Sequence, residues 1–164
     1  MRPVFLSLVF VATTFGASPT ASAQAADACP VTIQNDTGAD GRYGDWQIST
    51  VLSPQGEVVF SPGGSGFVTP DGALGMKFPW WRGVRGTLRI EGRRLDGPAG
   101  PLRSEFVDYG PTGFQASYVI FPAPGCWEVT GRAGAASVTF VTRVVKIGDG
   151  PAWRRAPRYR TSER

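Results

Sequence analysis

None of the 164 residues of this chain is histidine, and this limits the chemistry that its side chains could do. This excludes Ser-His-Asp and Cys-His catalysis and a histidine general base. It also removes the commonest protein ligand of zinc, copper and haem iron. No phosphate-binding glycine motif follows a predicted strand. We therefore expect no metal, no cofactor and no enzyme activity.

Carboxylates leave two other possibilities open. Two of them about 5–10 Å apart in a cleft could hydrolyse a glycosidic bond. Oxygen-rich residues 35–45 offer ligands for calcium, but their acidic residues lack the alternating spacing of a calcium loop and Arg42 interrupts them. We expect ordinary turns in 35–45 and ion pairs at outward strand positions. The acidic residues considered for hydrolysis are Glu91, Glu105, Asp108 and Glu128.

Adjacent tryptophans in residues 76–85 (MKFPWWRGVR) make the best candidate for a partner-binding site. Neighbouring residues of an extended strand point to opposite faces, so one tryptophan can be buried while the other stays outside. An exposed tryptophan can stack on a sugar ring or anchor a protein contact, and outward guanidinium groups can bind carboxylate, sulfate or phosphate. The alternative is that loops cover both tryptophans and that carboxylates pair with the arginines. The candidate partner-binding residues are Trp80, Trp81, Arg82, Arg85, Arg89 and Arg93.

The N-terminal residues resemble a secretory leader. Arg2 is followed by an apolar run over 4–17, and small-x-small cleavage sites lie at 21–23 and 23–25. The run is too short to span a bilayer as a mature helix, and no second one follows. We predict a signal peptide over 1–25 and an exported protein without a transmembrane segment in the mature chain, in the periplasm, at the cell surface or outside the cell.

Cys29 and Cys126 are the only cysteines, and an even pair in an exported chain indicates a disulfide. It would close a loop of about a hundred residues, which stabilises a fold by about 4–5 kcal/mol through chain entropy. If Trp127 and Val129 face the core, Cys126 faces away from it, and the disulfide attaches the N-terminal segment to the outer face or end of the domain. The alternative for Cys29 is lipidation, but the preceding residues lack leucine at the required position and include Asp27.

Alternating strands separated by Gly and Pro turns predict an all-β fold. We expect an antiparallel two-sheet, immunoglobulin-like sandwich of about seven short strands over 29–147. In it, 46–60 is predicted as a hairpin whose first strand places Trp46, Ile48 and Thr50 on one face. Further strands are predicted at 84–92 (with Val84, Leu88 and Ile90 inward), 115–121, 126–130 and 137–146, and a long surface connection at 97–113.

The basic character of the chain is concentrated at its end. Five of the 17 Lys and Arg residues lie in 151–164, so the rest of the mature chain is nearly neutral. We predict that 148–164 is a disordered, arginine-rich tail. Its Trp153 and Tyr159 would suit an envelope surface, whereas nucleic acid is not an expected partner of an exported protein.

Several strings of the sequence are distinctive: CPVT (29–32), MKFPWWRGVRGTLRIEGRRLD (76–96), YGPTGFQAS (109–117) and GCWEVTGRAGAASVTFVTRVVK (125–146). On these, the chain resembles a family of small, uncharacterised, exported bacterial proteins, over most of 29–147. The resemblance implies an envelope or secreted protein with an immunoglobulin-like sandwich, and it implies no activity. We expect a non-catalytic binding or interaction module whose partner is an anionic glycan, an envelope lipid or another envelope protein. The alternative is a structural envelope component without a ligand site.

Overall fold

A computed structural model of the protein describes residues 29–34, 42–106 and 110–148. In these residues ten strands form two sheets packed face to face. The predicted signal peptide, residues 149–164 of the predicted tail, residues 35–41 and Asp108 lie outside the described residues. The all-β, two-sheet sandwich predicted from the sequence is confirmed.

The first sheet has the strand order β1-β2-β5-β8-β7, with β4 also paired to β5. The second has the order β3-β10-β9-β6. Every pairing is antiparallel except that of β3 with β10, which is parallel. The bounds are β1 Tyr43–Gly44, β2 Ile48–Thr50, β3 Glu57–Phe60, β4 Phe67–Val68, β5 Leu74–Arg82, β6 Arg89–Arg94, β7 Arg103–Phe106, β8 Gly113–Phe121, β9 Gly125–Ala133 and β10 Ala136–Lys146.

The core lies between the sheets and is built around aromatic side chains. Phe78 on β5 stacks on Phe140 on β10, with ring centroids 5.9 Å apart. Phe121 on β8 meets Trp127 on β9 edge to face at 5.7 Å. Trp80 is fully buried, and its ring occupies the space where a Cβ on Gly131 would lie, 2.2 Å from Cζ3. Close contact of the two sheets at this point therefore depends on glycine at 131.

The predicted hairpin over 46–60 is wrong. β2 belongs to the first sheet, whereas β3 pairs with β10 in the second. A 3-10 turn over Pro54–Gly56 carries the chain across, and the Thr142 hydroxyl on β10 donates to the Gly56 carbonyl oxygen at 2.9 Å. β2 therefore satisfies its backbone hydrogen bonds on β1 and β5, and β3 on β10, instead of on each other.

Two other boundaries differ from the sequence prediction. The strand predicted at 84–92 begins only at Arg89, because the preceding residues form bends that connect the sheets; Leu88 and Ile90 are buried as expected, and Val84 packs partly buried against the core. The predicted long connection at 97–113 contains β7, which pairs with β8. The predicted strands at 115–121, 126–130 and 137–146 are confirmed as parts of β8, β9 and β10.

The Cys29–Cys126 disulfide is present. Trp127 and Val129 face the core, so Cys126 on the same strand faces outward, as predicted; it is nevertheless only 3% exposed. Residues 29–34 run beside β10, where the Thr32 amide donates to the Val141 carbonyl oxygen and the Val141 amide to the Thr32 hydroxyl. The disulfide thus attaches this segment to the outside of the second sheet.

A carboxylate lies beside the disulfide. Partial burial raises the pKa of Asp96, but hydrogen bonds from the Arg94 guanidinium and the Cys126 amide outweigh burial and hold the pKa below its ordinary 3.8. Gly125 is required here, because the φ of Gly125 is +140° and a Cβ on it would lie 2.5 Å from Arg94 Nε.

In the described part of the chain we find no helix long and apolar enough to span a membrane.

Candidate functional site

The paired tryptophans of β5 are divided between core and surface. Trp80 is 0% exposed, and its indole Nε1 donates to the Ser117 hydroxyl at 3.0 Å. Trp81 is 37% exposed on the outer face of the first sheet. The division follows from the pleat of β5, which places successive side chains on opposite faces of the sheet.

A row of paired residues across the first sheet surrounds Trp81. Ser49 on β2 and Phe114 on β8 lie directly opposite it in register, and Gly44 on β1 lies opposite Ser49. Phe114 contacts the Trp81 ring edge to face at 4.8 Å. Small residues on one side and an aromatic ring on the other leave a depression over Gly44 and Ser49.

Trp46 rises beside this depression at the tip of the β1–β2 turn and is 76% exposed. The Asp45 carboxylate accepts hydrogen bonds from the Gln47 and Ile48 amides at 2.8 and 3.0 Å, which shapes the turn. Gly83 lets the turn lie against the end of β5, because a Cβ there would be 2.0 Å from the Trp46 carbonyl oxygen. The expectation that Trp46 shares a face with Ile48 is wrong, since Trp46 precedes the strand and does not follow its alternation.

Together these residues line a cavity of about 420 Å³, the outer cavity. Its aromatic surfaces are Trp46 and Trp81, and the Arg42 guanidinium lies 4.5 Å from the Trp81 ring centroid. The stack is a cation–π contact that fixes a positive charge at the rim. The lining residues are Arg42, Gly44, Asp45, Trp46, Ser49, Trp81, Arg82 and Gly83.

Arg82 is buried, so its predicted place among the surface residues of the partner-binding site is wrong. It is 2% exposed, and its Nη1 and Nη2 atoms donate to the carbonyl oxygens of Gly86 and Gly110, both at 2.6 Å. Because Arg82 is two residues beyond Trp80, the pleat turns both toward the interior. The two-residue spacing of Trp80 and Arg82 in one strand could have predicted this from the sequence.

The arginine stripe does not join the tryptophans. Arg89 and Arg93 lie on β6, on the outer face of the second sheet, whereas Trp81 lies on the outer face of the first. Arg85 is exposed in the connection between β5 and β6. The single combined surface expected from Trp81, Arg85, Arg89 and Arg93 is therefore not formed.

Of the carboxylates considered for hydrolysis, Glu91, Glu105 and Glu128 do not line the outer cavity, and Asp108 lies outside the described residues. Glu128 on the second sheet accepts a hydrogen bond from Arg93 Nε at 2.7 Å. Glu91 is exposed on the same sheet and Glu105 lies on β7 of the other. Among the described residues, Asp45 is the one carboxylate that lines the outer cavity, and backbone amides engage it. Within the described ranges no three Cys, Asp or Glu side chains gather as a metal site would require.

A scan against protein-family models and a search of curated proteins found no match to the chain. The resemblance to exported bacterial proteins therefore stays a prediction.

Proposed function

We propose that the protein is an exported, non-catalytic binding module of the bacterial envelope that holds an acidic glycan in the outer cavity. The observation that carries the proposal is the exposure of Trp46 and Trp81 beside a cavity of about 420 Å³. This volume lies in the range of small-ligand sites, about 300–1,000 Å³.

The aromatic residues suit the apolar faces of a sugar ring. Phe114 and Arg42 already contact Trp81, so Trp46, exposed on most of its surface, is the better stacking platform. Trp81 then forms the wall of the cavity, and Gly44 and Ser49 leave room for the ring. Stacked aromatic rings anchor ligands at low entropic cost because they have only two rotatable side-chain bonds.

The positive charge of Arg42 favours a ligand with a negative charge. The Arg42 guanidinium lies at the rim of the cavity, 4.5 Å from the Trp81 ring centroid, and guanidinium groups are the side chains best suited to carboxylate or sulfate oxygens. Asp45 places an opposing negative charge in the lining, but its Oδ1 oxygen is directed at the Gln47 and Ile48 amides. We therefore place a uronic-acid or sulfated sugar, rather than a neutral one, in this cavity.

The predicted leader and the Cys29–Cys126 disulfide support an extracytoplasmic location, where disulfides persist. The alternative of a structural component without a ligand site would be favoured by two buried tryptophans, and Trp81 is not buried. A catalytic role would need a second carboxylate in the cavity, and its described lining supplies only Asp45.

An array of acidic and neutral glycans, probed with the mature protein, tests the proposal. We expect binding to uronic-acid or sulfated glycans that weakens with salt, because the Arg42 contribution is screened. Trp46→Ala should weaken binding by about thirtyfold, corresponding to ~2 kcal/mol for an anchoring residue.

Ile147→Ala is the matched control, since Ile147 is a 54% exposed apolar residue that does not line the cavity. Both variants should unfold at the wild-type temperature. Equal loss of binding in both variants, or glycan binding that Trp46→Ala leaves intact, would remove the proposal.

A further inference from the structure

Two arginines lie directly opposite each other on the outer face of the second sheet. Arg89 on β6 pairs in register with Arg132 on β9, and both side chains are exposed. They point outward because their neighbours along the strands, Ile90 and Ala133, are buried. Residues that face each other in this way have Cβ atoms about 4.5–5.5 Å apart, so the two positive charges repel each other and destabilise the pairing.

The other arginines on the strands of this sheet each have a carboxylate, whereas this pair has none among the described residues. Glu91 lies two residues beyond Arg89 on the same face, but it is opposite Thr130 and takes part in no ion pair of the described residues. The neighbours of Arg132 within the sheet are all described, because β6 and β10 flank β9; the undescribed Asp108 follows β7 of the other sheet in sequence. The pairs formed elsewhere on this sheet are Arg93 with Glu128 at 2.7 Å, Arg94 with Asp96 at 2.6 Å and Arg143 with Glu57 at 3.9 Å.

The connection between β5 and β6 adds a third guanidinium. Arg85 is exposed, and its backbone lies against the β9–β10 turn, where a Cβ on Gly134 would be 2.8 Å from the Arg85 carbonyl oxygen. A Cβ on Gly86 would be 2.4 Å from the Gly134 amide nitrogen, so glycine at both positions allows this close contact. With the one negative charge of Glu91, the three arginines leave a net charge of +2. The arginine patch consists of Arg85, Arg89 and Arg132.

The sheet around the arginine patch is flat and carries short side chains. Gly134 and Ala135 form the exposed β9–β10 turn, so the arginines are the longest side chains at this end of the sheet. A flat face with exposed guanidinium groups does not enclose a small anion, and a single exposed ion pair contributes little to binding. The patch therefore suits a planar partner that presents many anionic groups at once. The nearby outward residues of β9 and β10 are Thr130, Ser137 and Thr139.

We propose that the arginine patch binds the phosphate groups of an anionic phospholipid surface. Guanidinium groups suit phosphate oxygens, and a phosphate between Arg89 and Arg132 would offset their repulsion. Each arginine near an anionic leaflet strengthens binding about fivefold, equivalent to ~1 kcal/mol. An exported protein, as the leader at 1–25 predicts, meets such a surface at the membrane that it crosses. The patch shares no residue with the lining of the outer cavity, which lies on the first sheet.

Vesicle sedimentation with the full mature protein tests the proposal. The vesicles contain phosphatidylcholine alone, or an equal mixture of phosphatidylcholine and phosphatidylglycerol. We expect binding to the mixture that phosphatidylcholine alone does not support. Arg89→Gln/Arg132→Gln should weaken this binding about thirtyfold, corresponding to the loss of two arginine contacts. The arginines of 151–164 are the same in every protein compared, so they do not account for the difference.

Lys77→Gln/Arg103→Gln is the matched control, because it removes the same charge from exposed residues of the first sheet. Salt screens these residues from a leaflet bound to the second sheet, so vesicle binding should be unchanged. Both double variants should unfold at or near the wild-type temperature. Equal losses of vesicle binding in the two variants, or no loss in Arg89→Gln/Arg132→Gln, would overturn the proposal.

A second measurement locates the bound surface on the protein. Bicelles of the same lipid mixture that carry a gadolinium-chelating lipid broaden the amide NMR signals of residues close to the headgroups. The amides of Arg132 and Ser137 should broaden, whereas those of Ser49 and Trp81 on the other sheet should not. The opposite pattern, or broadening of neither set, would contradict the proposed surface.

The lipid and glycan proposals can fail separately. Trp46→Ala should leave vesicle binding intact, and Arg89→Gln/Arg132→Gln should leave binding of acidic glycans intact. If the arginine variant instead loses glycan binding and keeps vesicle binding, the patch belongs to the glycan and the lipid proposal is wrong.

Discussion

Removing the Cys29–Cys126 disulfide should destabilise the domain by an amount that follows from its position in the chain. The two cysteines are 97 residues apart. For a loop of this length, the lost entropy of the unfolded chain corresponds to about 4.7 kcal/mol at 25 °C. For a domain of this size each kcal/mol lowers Tm by about 4 °C, so the expected fall is about 15–20 °C.

Two perturbations separate the cross-link from the packing of the sulfur atoms. Cys126 is 3% exposed, so a Cys29→Ala/Cys126→Ala variant loses buried contacts as well as the covalent bond. Wild-type protein reduced with a phosphine loses only the bond. Both should retain the sandwich, because the described segment 29–34 that the disulfide attaches lies outside the core between the sheets.

Urea unfolding of the oxidised, reduced and doubly substituted proteins is the assay. We expect both altered forms to lose roughly 3–5 kcal/mol of unfolding free energy, with a steeper urea dependence because the unfolded chain expands more. The reasoning fails if the reduced protein loses less than about 1 kcal/mol. A loss confined to the double variant would assign the effect to sulfur packing instead of the cross-link.

Three further substitutions test separate parts of the structure. Trp80→Ala should cost about 3–5 kcal/mol in urea unfolding, because it leaves a cavity in the core and removes one of the two hydrogen bonds of the Ser117 hydroxyl. A cost below about 1 kcal/mol would contradict the burial of Trp80. Gly83→Ala should weaken glycan binding, measured by titration calorimetry, because the added Cβ would displace the turn that carries Trp46. Unchanged affinity would show that the position of this turn does not affect binding. Asp96→Asn should lower stability at pH 7, because the pKa of Asp96 is lower in the folded protein than its unfolded value of about 3.8. A carboxyl of this kind contributes its full stability above the unfolded pKa and loses it as the pH falls through the lower folded pKa. Thermal unfolding from pH 7 to pH 2 should therefore show the difference between wild type and Asp96→Asn closing in acid, and a constant difference would refute the cause assigned to the shift.

Local patterns in the sequence identified the longest strands because alternation over many residues reports burial directly. This is why 115–121 and 126–146 were predicted well, together with the outward position of Cys126. Pairing partners were not predictable in the same way. Residues 46–60 do contain two short strands joined by a turn at Pro54–Gly56, but nothing local distinguishes a hairpin from a crossing between sheets. That choice depends on contacts such as Thr142 to Gly56, which are distant in sequence.

The candidate site was predicted only in part, because alternation within one strand can be read from the sequence but the pairing of distant strands cannot. The opposition of Trp80 and Trp81 follows from strand parity, and the same parity would have placed Arg82 with Trp80 in the interior. Sequence order could not show that Arg89 and Arg93 lie on the other sheet, because the bends at 83–88 separate them from Trp81. Trp46 was missed since its exposure arises from a turn that Asp45 and Gly83 shape.

The most direct test of the proposed glycan site is a proton–nitrogen NMR spectrum of the tryptophan indoles during titration with the best acidic glycan from the array. The indole signals of Trp46 and Trp81 should shift together in a saturable manner. Those of Trp80 and Trp127 should stay in place, because both are 0% exposed and hydrogen-bonded to the Ser117 hydroxyl and the Ala123 carbonyl oxygen. Saturable glycan binding that leaves the Trp46 and Trp81 signals unmoved would contradict the account.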